Sequence, residues 1–87
     1  MTIPEIIKHY RGSTTLREFA SQLGVTHSAV QQWENGATEP KDEYISQFVN
    51  DSRQWVRDMG KALFIARNGS TLKTIIDNEK NEKDEKQ

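Results

Sequence analysis

Glycines at positions 12, 24 and 36 fall at equal spacing and divide residues 1–36 into three segments. Glycine adopts positive φ at no steric cost, so it is the residue that most readily stops a helix. Each interval leaves room for one helix of about two to three turns plus its cap. The intervals do not resemble one another, so they are not a sequence repeat. Such a chain can begin only as three short helices closely joined by tight turns.

The residues between the glycines fit that reading. Helix 1 is expected over Ile3–Arg11: Thr2 and Glu5 have the spacing of a capping box, Pro4 is tolerated in a first turn, and Ile3, Ile6, Ile7 and Tyr10 mark one face. Helix 2 is expected over Leu16–Leu23, with Thr15 and Glu18 repeating the cap spacing and Leu16, Phe19, Ala20 and Leu23 forming the buried stripe. Helix 3 is expected over His27–Asn35, capped by Thr26. Val30 and Trp33 then face inward, and His27, Ser28, Gln31, Gln32 and Asn35 are left on the outer face.

Pro40 and Lys41-Asp42 open a fourth helix whose apolar face is Tyr44, Ile45, Phe48 and Val49, and Asn50-Asp51-Ser52 break it. A longer fifth helix is expected from about Arg53 to Ala66, lined by Trp55, Val56, Met59, Leu63 and Phe64. Asn68-Gly69 ends it, and Thr71–Asp77 is a candidate sixth helix. Residues 63–75 around Asn68-Gly69 also fit a β-hairpin with a primed turn. From Asp77 onward there is no apolar residue and eight of eleven positions are charged, so a disordered tail is expected. The expected architecture is all-α: a bundle of five or six helices, divided into a domain over 1–50, a helical extension over 51–76 and a charged tail over 77–87.

Composition narrows the function. Eighty-seven residues, 33% hydrophobic, make one small domain with a thin core, less scaffold than most deep-pocket enzymes need. There is no cysteine, and His9 and His27 lack metal-ligand spacing, so no metal or cofactor is expected. No phosphate-binding loop and no local Ser/His/Asp arrangement is present, so no enzyme is expected. The longest wholly apolar run, Ala62–Ala66, is too short to span a membrane, and Met1–Ile7 lacks the pattern of a secretory signal, so a cytoplasmic protein is expected. The net charge of −1 divides into −1 over residues 1–40, +2 over 41–75 and −2 over 76–87. Arg53, Arg57 and Lys61 recur at i, i+4 and i+8, which reads first as a solvated face and second as a surface for phosphate or an acidic partner.

Residues 16–35, LREFASQLGVTHSAVQQWEN, meet the requirements of a helix-turn-helix one by one. Ala20 is small where two steeply crossing helices must touch. Gly24, four residues on, supplies the left-handed turn residue, and Val25 pins the turn to the core. Val30 and Trp33 return the second helix onto Phe19 and Leu23, leaving its start projecting outward.

The stretch Thr15–Pro40 resembles the Cro/C1-type (XRE-like) helix-turn-helix family of phage and bacterial repressors. Phe19-Ala20, Leu23-Gly24-Val25, Val30, Trp33-Glu34-Asn35-Gly36 and Pro40 carry the likeness, which extends over about residues 3–49. The resemblance implies a transcriptional regulator, a repressor, binding operator DNA. It places His27, Ser28 and Gln32 at base-reading positions, with Gln31 beside them, and Thr15 and the Asn35-Gly36 turn toward the DNA backbone; Thr26 and Lys41 are further candidate phosphate contacts. The chemistry agrees: Gln can bridge adenine N6/N7, Ser can donate or accept, His can donate to guanine N7, and helix N-termini offer N–H groups to phosphate. Two departures stand out. Leu16 occupies a position where many members carry Gln, and Ala37 one where a basic residue is common. Glu34 often pairs with a basic residue of helix 1 in this family, and the candidates are Lys8, His9 and Arg11.

One recognition helix reads only a few base pairs, whereas two copies about 34 Å apart read successive major grooves. A homodimer is therefore expected, with Trp55, Met59, Leu63 and Phe64 as its interface. Alternatives from other functional classes are an antitoxin bound to a small toxin partner, and a protein-interaction module that has lost DNA binding. A toxin or antirepressor is thus a possible protein partner.

Overall fold

The computed structural model describes residues 1–68. These form five helices and, among the described residues, no strand: α1 Ile3–Arg11, α2 Leu16–Leu23, α3 His27–Asn35, α4 Asp42–Val49, and α5 over residues 54–68. The hairpin reading of residues 63–75 is overturned where it can be compared, because 63–68 continue α5. The expected sixth helix and charged tail lie outside the described residues.

The first three helices begin and end where their caps dictate. Thr2 and Glu5 close a full capping box on α1, the Thr2 side chain accepting from the Glu5 N–H and the Glu5 carboxylate from the Thr2 N–H. The hydroxyls of Thr15 and Thr26 accept from the backbone N–H of Glu18 and Ala29, each at 3.1 Å. Each such cap contributes about 1 kcal/mol. α4 differs: its N-cap, Lys41, makes no side-chain capping bond.

One core serves all five helices. α1 supplies Ile3, Ile6 and Ile7, α2 Phe19, Ala20 and Leu23, α3 Val30 and Trp33, and α4 Ile45 and Phe48. α5 completes it with Val56, Met59 and Leu63, all three wholly buried. A helix whose inner side chains are buried to this degree is held by packing, each large apolar residue contributing about 1.5–3 kcal/mol. α5 can lie this close because Gly60 faces the end of α4: a β-carbon there would stand 2.7 Å from the Val49 backbone nitrogen.

The α4–α5 loop is fastened by charge. The Asp51 carboxylate accepts from the Arg53 N–H at 2.8 Å and from the Arg53 guanidinium through both oxygens at 2.9 Å. Arg57 donates to the Asp51 and Ser52 carbonyls at 3.0 and 2.8 Å. The side-chain and backbone hydrogen bonds from Arg53 hold the Asp51 carboxyl at about 2, below its ordinary 3.8. A depressed carboxyl stabilises the fold above its unfolded value, and that contribution disappears as pH falls through the folded value. Acid unfolding followed by helicity should therefore include a component between about pH 4 and pH 2. Asp51→Asn should remove that component; an unchanged profile would show that the loop clamp does not couple to folding.

Candidate nucleic-acid interface

The turn between α2 and α3 is a Schellman motif. Gly24 adopts φ 73° and ψ 30°, its N–H donating to the Ser21 carbonyl at 3.2 Å while Val25 N–H donates to the Ala20 carbonyl at 3.0 Å. Val25 is half-buried beneath the turn, and Ala20 is wholly inside it. α3 leaves the turn packed against both α1 and α2.

This arrangement divides α3 into two edges. Val30 and Trp33 are buried, with the Trp33 ring meeting Tyr44 and Phe48 at centroid distances of 6.1 and 6.5 Å. On the opposite edge His27, Ser28, Gln31, Gln32 and Asn35 are exposed together. Apart from a weak contact at 3.4 Å from the Thr38 hydroxyl to Gln32 Oε1, no side-chain hydrogen bond within the described residues engages this edge. It is an open row of donors and acceptors. A second Schellman motif at Gly36 (φ 75°) ends the helix, with Ala37 N–H donating to the Gln32 carbonyl at 3.0 Å.

Thr15, Thr26 and Lys41, expected toward phosphate, are also exposed, each one residue before a helix. Both threonine hydroxyls accept from their own helices, so what Thr15 and Thr26 can offer an anion is the hydroxyl proton and the neighbouring backbone N–H groups.

A buried ion pair sets how α3 is held. Glu34, 8% exposed, receives the Arg11 guanidinium as a fork: Nε donates to Oε2 at 2.6 Å and Nη2 to Oε1 at 2.9 Å. Arg11 Nη1 donates to the Thr14 carbonyl at 2.9 Å, so one guanidinium joins α1, the α1–α2 loop and α3. Of the three candidate partners, only Arg11 makes this pair. Glu34 holds the Arg11 guanidinium in its charged form, raised above its ordinary value. Removing one partner of a buried pair strands the other charge. Arg11 is partly exposed, which tempers the loss, so Arg11→Ala should cost about 1–3 kcal/mol in denaturant unfolding. Arg11→Lys should recover only part of it, because an ammonium cannot form the fork; full recovery would show that charge alone suffices.

The basic stripe of α5 does not survive as a free surface. Arg53 is held by Asp51 and lies 5.6 Å above the Trp55 ring, and Arg57 is bonded to loop carbonyls. The expected dimer face is corrected too. Met59 and Leu63 are wholly buried within the chain, so neither has surface to offer a second copy. Trp55 is half-buried and its ring meets Phe19 at 5.9 Å, whereas Phe64 stays 45% exposed and Ile65 56%. Two contacts had no signal in the sequence pattern. One is Gly60 at the helix crossing; the other is Arg67, which donates to the Pro40 carbonyl at 2.8 Å and pairs with Asp42 at 3.0 Å.

A family model described as Helix-turn-helix matches residues 7–51, more than half of the chain. The chain belongs to the Cro/C1-type helix-turn-helix family. The matched span runs from α1 through α4 and contains the Gly24 turn, the α3 edge and the Arg11–Glu34 pair. As a member of this family the chain is a DNA-binding transcription regulator. No curated protein and no solved structure matches it significantly. No described helix is long and apolar enough to cross a membrane.

Proposed function

We propose that the chain is a cytoplasmic transcriptional repressor that binds operator DNA as a homodimer. α3 lies in the major groove, where His27, Ser28, Gln31 and Gln32 read base edges, while Thr15, Thr26, Asn35 and Lys41 meet phosphate. The observation that carries this reading is the division of α3 into a fully buried edge and an unengaged polar one. Residues 1–50 act as the DNA-binding unit and residues 51–76 as the dimerisation element, in which Phe64 is exposed and Trp55 is half-buried against Phe19.

Charge sharpens the expectation. Arg11, Arg53, Arg57 and Arg67 are bonded within the chain; of the four cations left exposed without an ion pair among the described residues (Lys8, Arg17, Lys41 and Lys61), Lys41 is a phosphate candidate and Arg17 lies in the first turn of α2, two residues after the phosphate candidate Thr15. Affinity should therefore rest more on base contacts than on phosphate. At about 0.9 per neutralised phosphate, a dimer using two cations per copy should show a log–log salt slope of roughly −4, shallow for a repressor.

Selection of bound sites from random duplex DNA should enrich an inverted repeat with half-sites one helical turn apart. On that site Gln32→Ala should lose about 1–3 kcal/mol and relax the preference at one base pair per half-site. An equal loss on every sequence would remove Gln32 from base reading. The scarcity of free cations also favours a second reading, a protein-interaction module that no longer binds DNA; failure to enrich any duplex would select it.

A further inference from the structure

We propose that Arg67 is a positioning residue for the DNA-facing side of the molecule: it holds Lys41 from both flanks and covers the acidic charge beside it. This role rests on the DNA-binding reading above and gives the last turn of α5 a part in it. Arg67 Nη1 donates to the Pro40 carbonyl at 2.8 Å and lies 3.0 Å from Asp42 Oδ1. Pro40 and Asp42 are the two neighbours of Lys41 in the chain. One guanidinium nitrogen, with two N–H groups to give, therefore holds both sides of the residue expected to meet phosphate.

The entry into α4 needs such a tether. α1, α2 and α3 each start on a threonine whose hydroxyl accepts a backbone N–H, whereas Lys41, the N-cap of α4, makes no side-chain capping bond. The Pro40 ring is buried, and its carbonyl, which belongs to the peptide preceding Lys41, is bound by Arg67. On the other side the Lys41 carbonyl accepts from the Tyr44 and Ile45 N–H groups at 3.0 and 3.1 Å. The Lys41 backbone is thus fixed before and after the residue, while its side chain stays exposed.

Charge points the same way. The Asp42 side chain is 91% exposed, and unpaired it would repel a phosphate approaching Lys41. Arg67 neutralises it at the position where that repulsion would be felt. An ion pair with so exposed a partner contributes little to overall stability. Its main consequence is where the Pro40–Asp42 segment sits and what charge that segment presents.

A cycle of Arg67→Met and Lys41→Met in the full chain tests this on the duplex selected from random DNA, titrated over a range of salt. Each phosphate contact adds about 0.9 to the log–log slope, or roughly fivefold in affinity at about 0.15 M salt. For two copies, Lys41→Met should cost about 10–30-fold and bring the slope from roughly −4 to roughly −2. Arg67→Met should cost about 5–20-fold and shift the slope the same way. The double variant should lose no more than about twofold beyond Lys41→Met alone, because Arg67 acts through Lys41. A mere folding defect lowers the active fraction and leaves the slope in place. Losses that multiply, or an Arg67→Met slope equal to the parent's, would overturn the assignment. Hydrogen exchange of the free chain needs no DNA: the Tyr44 and Ile45 amides should exchange at least about threefold faster in Arg67→Met. Unchanged exchange would overturn the assignment as well. A parent chain that enriches no duplex would sink the DNA-binding reading and this role with it, whereas multiplying losses on a bound duplex sink the role alone.

Discussion

Trp33→Ala should leave the protein largely unfolded near physiological temperature. The indole is 3% exposed and sits where α3 meets α4, its ring against Tyr44 and Phe48. Truncating a buried aromatic to alanine costs about 3–5 kcal/mol, from lost transfer free energy and the cavity left behind. A chain of this length has a total stability of only about 4–13 kcal/mol. The loss should lower the thermal midpoint by more than about 12 °C. Trp33→Phe keeps a ring and should lose much less. DNA binding by Trp33→Ala should fall in step with the folded fraction, because Trp33 holds the helix whose other edge faces out and does not itself reach bases. A variant that stayed folded yet lost DNA binding would place Trp33 at the interface and not beneath it.

The contrast between the two edges of α3 explains which parts of the molecule were legible in the sequence. Thr2, Thr15 and Thr26 each stand one residue before a helix, and Gly12, Gly24 and Gly36 each end one. Caps and stops act over four residues or fewer, so α1 to α3 could be bounded from local spacing alone. The exposed row His27, Ser28, Gln31, Gln32 and Asn35 follows from the same local period once Val30 and Trp33 are placed inside. Exposure of that row was readable; which bases it would read under the proposed function depends on a duplex that the sequence does not contain.

What was not legible depends on how distant segments cross. Lys8, His9 and Arg11 lie within one turn of α1, and only the packing of α1 on α3 brings a guanidinium, with its planar fork, onto Glu34. Met59 and Leu63 read as surplus apolar surface because periodicity marks a face without saying what covers it. The answer is the chain's own core, which α5 completes. For the same reason Leu63→Asp, an obvious probe of a dimer face, would instead bury a charge in a wholly enclosed site and unfold the monomer. Phe64→Asp, at an exposed position, is the variant that tests association. The α5 basic stripe was likewise periodic, but Asp51 and the loop carbonyls take up two of its three cations.

Gly60 is the clearest case of a residue whose meaning lies only in the crossing, and it carries the second large prediction. Within a helix, replacing glycine by alanine normally stabilises by about 1 kcal/mol, because glycine has the greater backbone freedom to lose. At Gly60 the sign should reverse. An added β-carbon would stand 2.7 Å from the Val49 nitrogen and 2.8 Å from the Phe48 β-carbon. Neither neighbour is the free end of a flexible side chain, so relief requires α5 to move away from α4. Separation would also loosen Met59 and Leu63, which flank Gly60 on the buried side of α5. Overpacking of this kind costs about 1–3 kcal/mol, and more when backbone must shift. Gly60→Ala should therefore destabilise by about 1–2 kcal/mol after the propensity gain is subtracted, and Gly60→Val, with two further methyls and a poorer helix former, by about 3 kcal/mol or more. Denaturant midpoints of the two variants should fall in that order. An alanine variant more stable than the parent would show that α5 does not approach α4 as closely as the Gly60 crossing requires.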